Sequence, residues 1–100
     1  MKVRFSPRAR RRVKLVDRWW RDNRPATPTL FHDELETAIE RLTSQPAIGA
    51  VCSTVGGVTI RCVLLPRSVQ HVFYGIDEER RVIIIYTVWG ATRGRGPKLP

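Results

Sequence analysis

The sequence predicts an α+β fold: a short strand, two helices, then a run of strands, with the helical hairpin packed on one face of a mostly antiparallel sheet. Three observations carry this. Apolar residues recur at helical spacing from Pro7 to about Asp22 and again from about Pro28 to Ser44. From Ile48 onward the chain turns rich in Val, Ile and Thr, as strands are. That second half is cut by Gly56-Gly57, Pro66-Arg67-Ser68 and Asp77-Glu78-Glu79, which read as turns. The expected order is β-α-α-β-β-β(-β).

The elements follow in turn. Val3 and Phe5 alternate with Lys2 and Arg4, a short first strand. Ser6-Pro7 reads as an N-cap followed by the first helical residue, where proline loses no hydrogen bond. In the helix after it, Ala9, Val13, Val16 and Trp20 share one face, with Leu15 and Trp19 on its flank. Arg11, Lys14, Arg18 and Arg21 form a separate basic stripe, with Arg10 close by. Asn23-Arg24-Pro25 breaks the helix, and Thr27-Pro28 reads as the cap of the next. Phe31, Leu35, Ala38, Ile39 and Leu42 mark its buried face, and Asp33, Glu34, Glu36 and Glu40 its exposed acidic side. Pro46 forbids continuation, and the short link between the helices implies an antiparallel pair. Strands are expected over Ile48–Val55, Val58–Leu65, Val69–Ile76 and Arg81–Trp89. The continuous run Val82-Ile83-Ile84-Ile85 suggests a central strand, covered on both faces or nearly so. With a regular two-residue turn at Gly56-Gly57, Cys52 faces Arg61 and Cys62 faces Val51, so the two thiols point to opposite faces.

Composition bounds the function. One hundred residues make one domain, expected over 1–90, with a mobile Gly-, Pro- and Arg-rich tail over 91–100. The chain carries a net charge of +9, and it is local. Residues 1–24 hold ten basic and two acidic side chains, a net of +8, interleaved with Trp19 and Trp20. Such a density of arginine attracts a polyanion or an acidic protein. No apolar run approaches the ~20 residues of a membrane span, and the start does not read as a secretory signal. Two cysteines are too few for a disulfide scaffold, so a cytoplasmic protein with reduced thiols is expected. Neither the cysteines nor the histidines have metal-ligand spacing, and no cofactor is expected.

The chain resembles the RelE/ParE superfamily, the toxic halves of bacterial type II toxin–antitoxin pairs. The likeness runs from about Val3 to Pro97. It is carried by Phe5-Ser6-Pro7-x-Ala9, Asn23-x-Pro25, Phe31, Ile39, Leu42 and Pro46-x-x-Gly49. Ile60-Arg61, Phe73-Tyr74-x-Ile76-Asp77, Val82-Ile83-Ile84-Ile85-Tyr86 and a final Arg93 near a Gly-Pro complete it. The start and the long helical hairpin lean toward the ParE-like branch. The resemblance implies the α+β fold already read, a cognate acidic antitoxin, and one of two activities. RelE-like members cut mRNA in the ribosome with basic side chains and often a Tyr, His or Glu near the C-terminus. ParE-like members are associated with poisoning DNA gyrase and lack a comparable nuclease set. Among ionisable side chains, residues 90–100 hold only Arg93, Arg95 and Lys98, a departure from the nuclease pattern.

The chemistry favours binding over catalysis. Cleavage by 2′-hydroxyl attack needs proton transfer, and arginine holds its proton above about pH 12. The candidates for proton transfer are His71, Tyr74 and Tyr86; a nuclease here would use Arg61 with His71 or Arg93, and Arg61 and His71 could share a face if they lie on neighbouring strands. The ordinary alternatives are a half-exposed strand histidine at His71, an arginine at 61 paired with Asp77 or a helix carboxylate, and core roles for Tyr74 and Tyr86. His32 reads as a solvated helix residue. Partner binding is expected from Arg11, Lys14, Arg18, Trp19, Arg21, Arg93 and Arg95, Trp19 being a candidate anchor at the edge of the apolar arc. The expectation is a non-enzymatic gyrase inhibitor held silent by its antitoxin. The alternatives are a ribosome-dependent mRNA endonuclease, and a non-toxic basic RNA-binding or adaptor domain. Phe73 and Tyr74 are adjacent and point to opposite faces, unlike the aromatics of an RNA-recognition sheet.

Overall fold

The computed structural model describes residues 1–92, 96, 97 and 99. Among these, β1 (Lys2–Phe5) is followed by α1 (Pro7–Asn23) and α2 (Leu30–Ser44). Then come β2 (Ala50–Val55), β3 (Val58–Leu65), β4 (Gln70–Asp77) and β5 (Val82–Gly90). The strands form one sheet in the order β1-β5-β4-β3-β2. β1 runs parallel to β5, and every other pairing is antiparallel. The two helices cover one face of the sheet, so the α+β expectation holds.

Ser6 does two jobs at the start of α1. Its extended backbone lets Oγ accept from the Ala9 N–H at 3.0 Å, which caps the helix. The same hydroxyl donates to the Tyr86 carbonyl at 3.0 Å, on the part of β5 that lies beyond the end of β1. Two residues further along that edge, Arg12 Nε donates to the Val88 carbonyl at 3.4 Å. The edge of β5 beyond the end of β1 is thus met by side chains from the N-cap of α1 and from α1 itself.

The core lies between the helices and this sheet face. Ala9 and Val16 come from α1, Phe31, Leu35 and Leu42 from α2. Leu65, Val72, Tyr74, Ile83, Ile85 and Val88 meet them from the strands. Phe31, Leu42, Ile83 and Ile85 are fully buried, each worth about 1.5–3 kcal/mol relative to exposure. β5 is central, but it is not covered evenly. Ile83 and Ile85 are buried, whereas Val82, Ile84 and Tyr86 on the other face are half-buried. Cover is fuller on the side where both helices lie.

Several boundaries shift for identifiable reasons. α2 starts at Leu30, not at Pro28, because the Leu30 N–H donates to the Thr27 carbonyl in a separate turn. Thr29 takes the cap position, and its hydroxyl bonds the Asp33 carboxylate at 3.0 Å. β2 starts at Ala50, not at Ile48, because the backbone before it is committed elsewhere. Ile48 N–H donates to Gln45, and Gly49 N–H to the Tyr74 hydroxyl. β4 and β5 each begin one residue late, after Val69 (φ 57°) and Arg81 (φ 54°), whose left-handed backbones belong to turns.

The Gly56-Gly57 turn forms as expected, with positive φ at both positions. The strand pairing before it does not stay regular. Val51 pairs with Arg61, but Ser53 pairs with Ile60, so Cys52 is an extra residue in a β-bulge. Ala50, rather than Val51, faces Cys62. The bulge takes Cys52 out of the regular alternation: its Sγ lies 3.4 Å from the Ile60 carbonyl, and the residue neighbours Cys62. The expectation that they point to opposite faces is therefore overturned.

Candidate functional site

Arg61 and His71 do not meet. Arg61 pairs with Tyr74 across β3 and β4, and His71 lies three residues before Tyr74 on the same strand. An odd separation in a strand reverses the face. Arg61 lies on the helix side and His71 on the other, so the shared face required of a nuclease pair is absent. Nor, among the described residues, does Arg61 take a carboxylate partner. Its Nη1 donates to the carbonyls of Gly49 at 2.8 Å and Ala47 at 3.3 Å. The buried Tyr74 hydroxyl works on the same segment: it accepts from Gly49 N–H at 2.9 Å and donates to the Pro46 carbonyl at 2.7 Å. A Cβ on Gly49 would sit 2.7 Å from that hydroxyl, so the close approach requires glycine. Arg61 and Tyr74 together clamp the loop from α2 to β2.

The tyrosines are poor proton acceptors as well. Burial pushes the Tyr74 hydroxyl above its ordinary range, against the opposing effects of the Gly49 hydrogen bond and the Arg61 charge. Burial likewise raises Tyr86, and the nearby Asp77 charge adds to it. Both stay protonated at neutral pH. The Tyr86 ring lies against Gly75 on the sheet face away from the helices, where His71 and Phe73 also meet edge to face at 6.0 Å. His32 is exposed on α2, 3.2 Å from Glu36 one turn on.

The basic stripe is where the sequence placed it. Arg11, Lys14, Arg18 and Arg21 are all exposed on α1, and Arg21 Nε contacts Asp17 at 2.9 Å. Trp19 is 46 % exposed and Trp20 packs toward the core, the two rings standing edge to face at 5.7 Å. Arg93 and Arg95 lie outside the described residues.

Beside the stripe runs a feature that helical periodicity alone did not assemble. A groove of about 820 Å³ opens between α1 and the β3–β4 turn. Leu15, Trp19 and Val69 supply its apolar lining, and Arg12, Arg24 and Arg67 supply its charge. Leu15 is 56 % exposed and Val69 40 %, an apolar surface left uncovered. The Arg24 guanidinium stacks on Trp19 at 5.1 Å, and that of Arg12 on Trp89 at 5.0 Å. The signal for one wall was present: Arg12, Leu15, Val16 and Trp19 follow the i, i+3, i+4, i+7 spacing of a helix face. The other wall comes from a turn more than forty residues away, which no local pattern reveals.

That turn is held by Glu34. Its carboxylate accepts from the Arg67 N–H at 2.8 Å, the Ser68 N–H at 2.8 Å and the Ser68 hydroxyl at 2.6 Å. Charge-assisted bonds of this kind are about twice as strong as neutral ones. Glu34 was read only as part of an acidic exposed side; its role depends on a contact across the fold. The far end of the groove is closed by the Ala91 N–H, which donates to the Val69 carbonyl at 2.9 Å.

The chain is thus a basic α+β domain with two helices on a five-stranded sheet and an exposed cationic helix. Residues 3–94 match the family described as the ParE toxin of the type II toxin–antitoxin system parDE, and the chain belongs to that family. It is a toxin of the ParE type, and membership implies an antitoxin partner. A search of curated proteins gives no match. Among the described residues, no helix is long and apolar enough to cross a membrane.

Proposed function

We propose that this chain arrests bacterial growth in the cytoplasm by binding DNA gyrase, without cutting a nucleic acid, and is silenced by an acidic antitoxin segment seated along α1. The observation that carries the reading is family membership over residues 3–94. Gyrase is favoured over the ribosome because the groups a nuclease would need are kept apart. Arg61 is committed to the Ala47 and Gly49 carbonyls, His71 is on the opposite face, and Tyr74 and Tyr86 are held protonated. The antitoxin seat is favoured by complementarity. The groove offers Leu15, Trp19 and Val69 to an apolar stripe, with Arg12, Arg24 and Arg67 for acidic residues beside it. The C-terminal residues, Arg93 and Arg95 among them, dock onto the target.

Expression of this chain alone in a susceptible bacterium tests the proposal. Growth should stop, and co-expression of the small protein encoded beside it should restore growth. The purified chain should inhibit gyrase supercoiling and leave ribosome-bound mRNA intact. Normal growth at verified levels of folded protein removes the toxin reading. Cleavage of mRNA on ribosomes moves the target from gyrase to the ribosome.

A further inference from the structure

Cys52 and Cys62 have no part in the function proposed above, yet the fold brings them together. In a regular hairpin Cys52 would face Arg61 and lie on the other side of the sheet from Cys62. The bulge inserts Cys52 between the Val51–Arg61 and Ser53–Ile60 pairs and reverses that parity. Both thiols are free, Cys52 is exposed, and Cys62 is partly buried on the next strand. Cys52 Sγ also lies 3.4 Å from the Ile60 carbonyl across on β3. Cys52 and Cys62 are neighbours close enough for Cys52 to raise the Cys62 thiol.

We infer that Cys52 and Cys62 form a dithiol modification site, closed reversibly to an intramolecular disulfide by exchange with a low-molecular-weight disulfide. The chemistry runs in two displacements. The exposed Cys52 thiol gives up its proton, and its thiolate attacks one sulfur of the incoming disulfide. That bond breaks, one small thiolate leaves and takes a proton, and Cys52 is left in a mixed disulfide. Cys62 then loses its proton and attacks the Cys52 sulfur, expelling the second small thiolate. The protein is oxidised by two electrons, and one small disulfide becomes two small thiols.

The order of attack follows from the environment. Burial first, and then the adjacent Cys52, push the Cys62 thiol up to about 11. At neutral pH Cys62 is a scarce thiolate, so it serves as the resolving partner and Cys52 as the first nucleophile. β2 is an edge strand of the sheet, so the pair is reached from the edge without unfolding the core.

The test uses the folded full chain and oxidised glutathione, read by intact mass under non-reducing conditions. The expected product has lost two hydrogens, resists alkylation at both cysteines and regains both thiols with dithiothreitol. The Cys62→Ser variant should stop at a single glutathione adduct on Cys52. The Cys52→Ser variant should give no disulfide and react at least tenfold more slowly. Peptide mapping after alkylation locates the linkage should either variant fail to fold. A wild-type protein that stops at the glutathione adduct, or that links two chains through Cys52, overturns the inference.

Discussion

Replacing Arg61 by alanine separates a structural arginine from a catalytic one. The side chain donates to the partly buried Gly49 carbonyl at 2.8 Å and to the exposed Ala47 carbonyl at 3.3 Å. A hydrogen bond from a charged group is worth about 1.5–3 kcal/mol, and the longer, solvated contact adds little. The loss should therefore be about 2 kcal/mol, or a fall in Tm of about 8–16 °C for a domain of this size. A domain this small has a margin of about 5–10 kcal/mol, so at least about 3 kcal/mol remains. That leaves more than about 99 % of molecules folded, since each 1.4 kcal/mol is a factor of ten. Urea unfolding of Arg61→Ala should thus show a lower midpoint with an unchanged slope, while growth arrest at matched soluble levels stays near wild type. A variant of wild-type stability that has lost its toxicity would refute this reasoning and make Arg61 a functional residue.

Four further outcomes are expected. Arg11, Arg18 and Arg21 changed together to Glu should slow association with the antitoxin and flatten its salt dependence, read by stopped-flow at several ionic strengths; on-rates that do not respond would show the stripe to be only solvated. Trp19→Ala should weaken antitoxin binding by about 2 kcal/mol, roughly 30-fold, in calorimetry, with Tm nearly unchanged because the ring is 46 % exposed. Glu34→Gln removes the charge from three bonds to the β3–β4 turn and should cost about 1–3 kcal/mol in urea unfolding. Removal of residues 93–100, keeping the Ala91 tie to Val69, should abolish growth arrest and leave the circular dichroism spectrum intact.

The sequence disclosed what depends on neighbours along the chain. Ser6-Pro7 announced α1, the apolar spacing announced both helices, and Gly56-Gly57 announced the turn between β2 and β3. The identities of the core residues on α2 followed from the same periodicity. What stayed hidden depends on contacts between distant segments. Arg61 and Tyr74 act on a loop twelve to twenty-eight residues before them, and Glu34 on a turn thirty-three residues after it. The bulge at Cys52 leaves no signature in composition, since no glycine or proline marks it, yet it reverses which way one thiol points. The candidate site was half legible for the same reason: α1 could be read as a basic face with Trp19 at its border, but the groove needs a wall from the β3–β4 turn.

The pairing of β1 with β5 governs when this protein can exist as a folded object. Lys2 lies against Val82 and Phe5 against Ile85, so the first strand made is held by the last. During synthesis the opening strand and α1 wait without their partner while nearly the whole chain is produced, and α1's apolar face has no sheet to rest on. Local hairpins among β2, β3 and β4 can form early, but closure of the sheet is a late, long-range event that carries a high entropic cost. A nascent or prematurely terminated chain therefore lacks the α1-flanked surface proposed to meet its partners. Ribosome profiling joined to limited proteolysis of stalled chains should find protection of α1 only after Gly90 has been added and has cleared the ribosome.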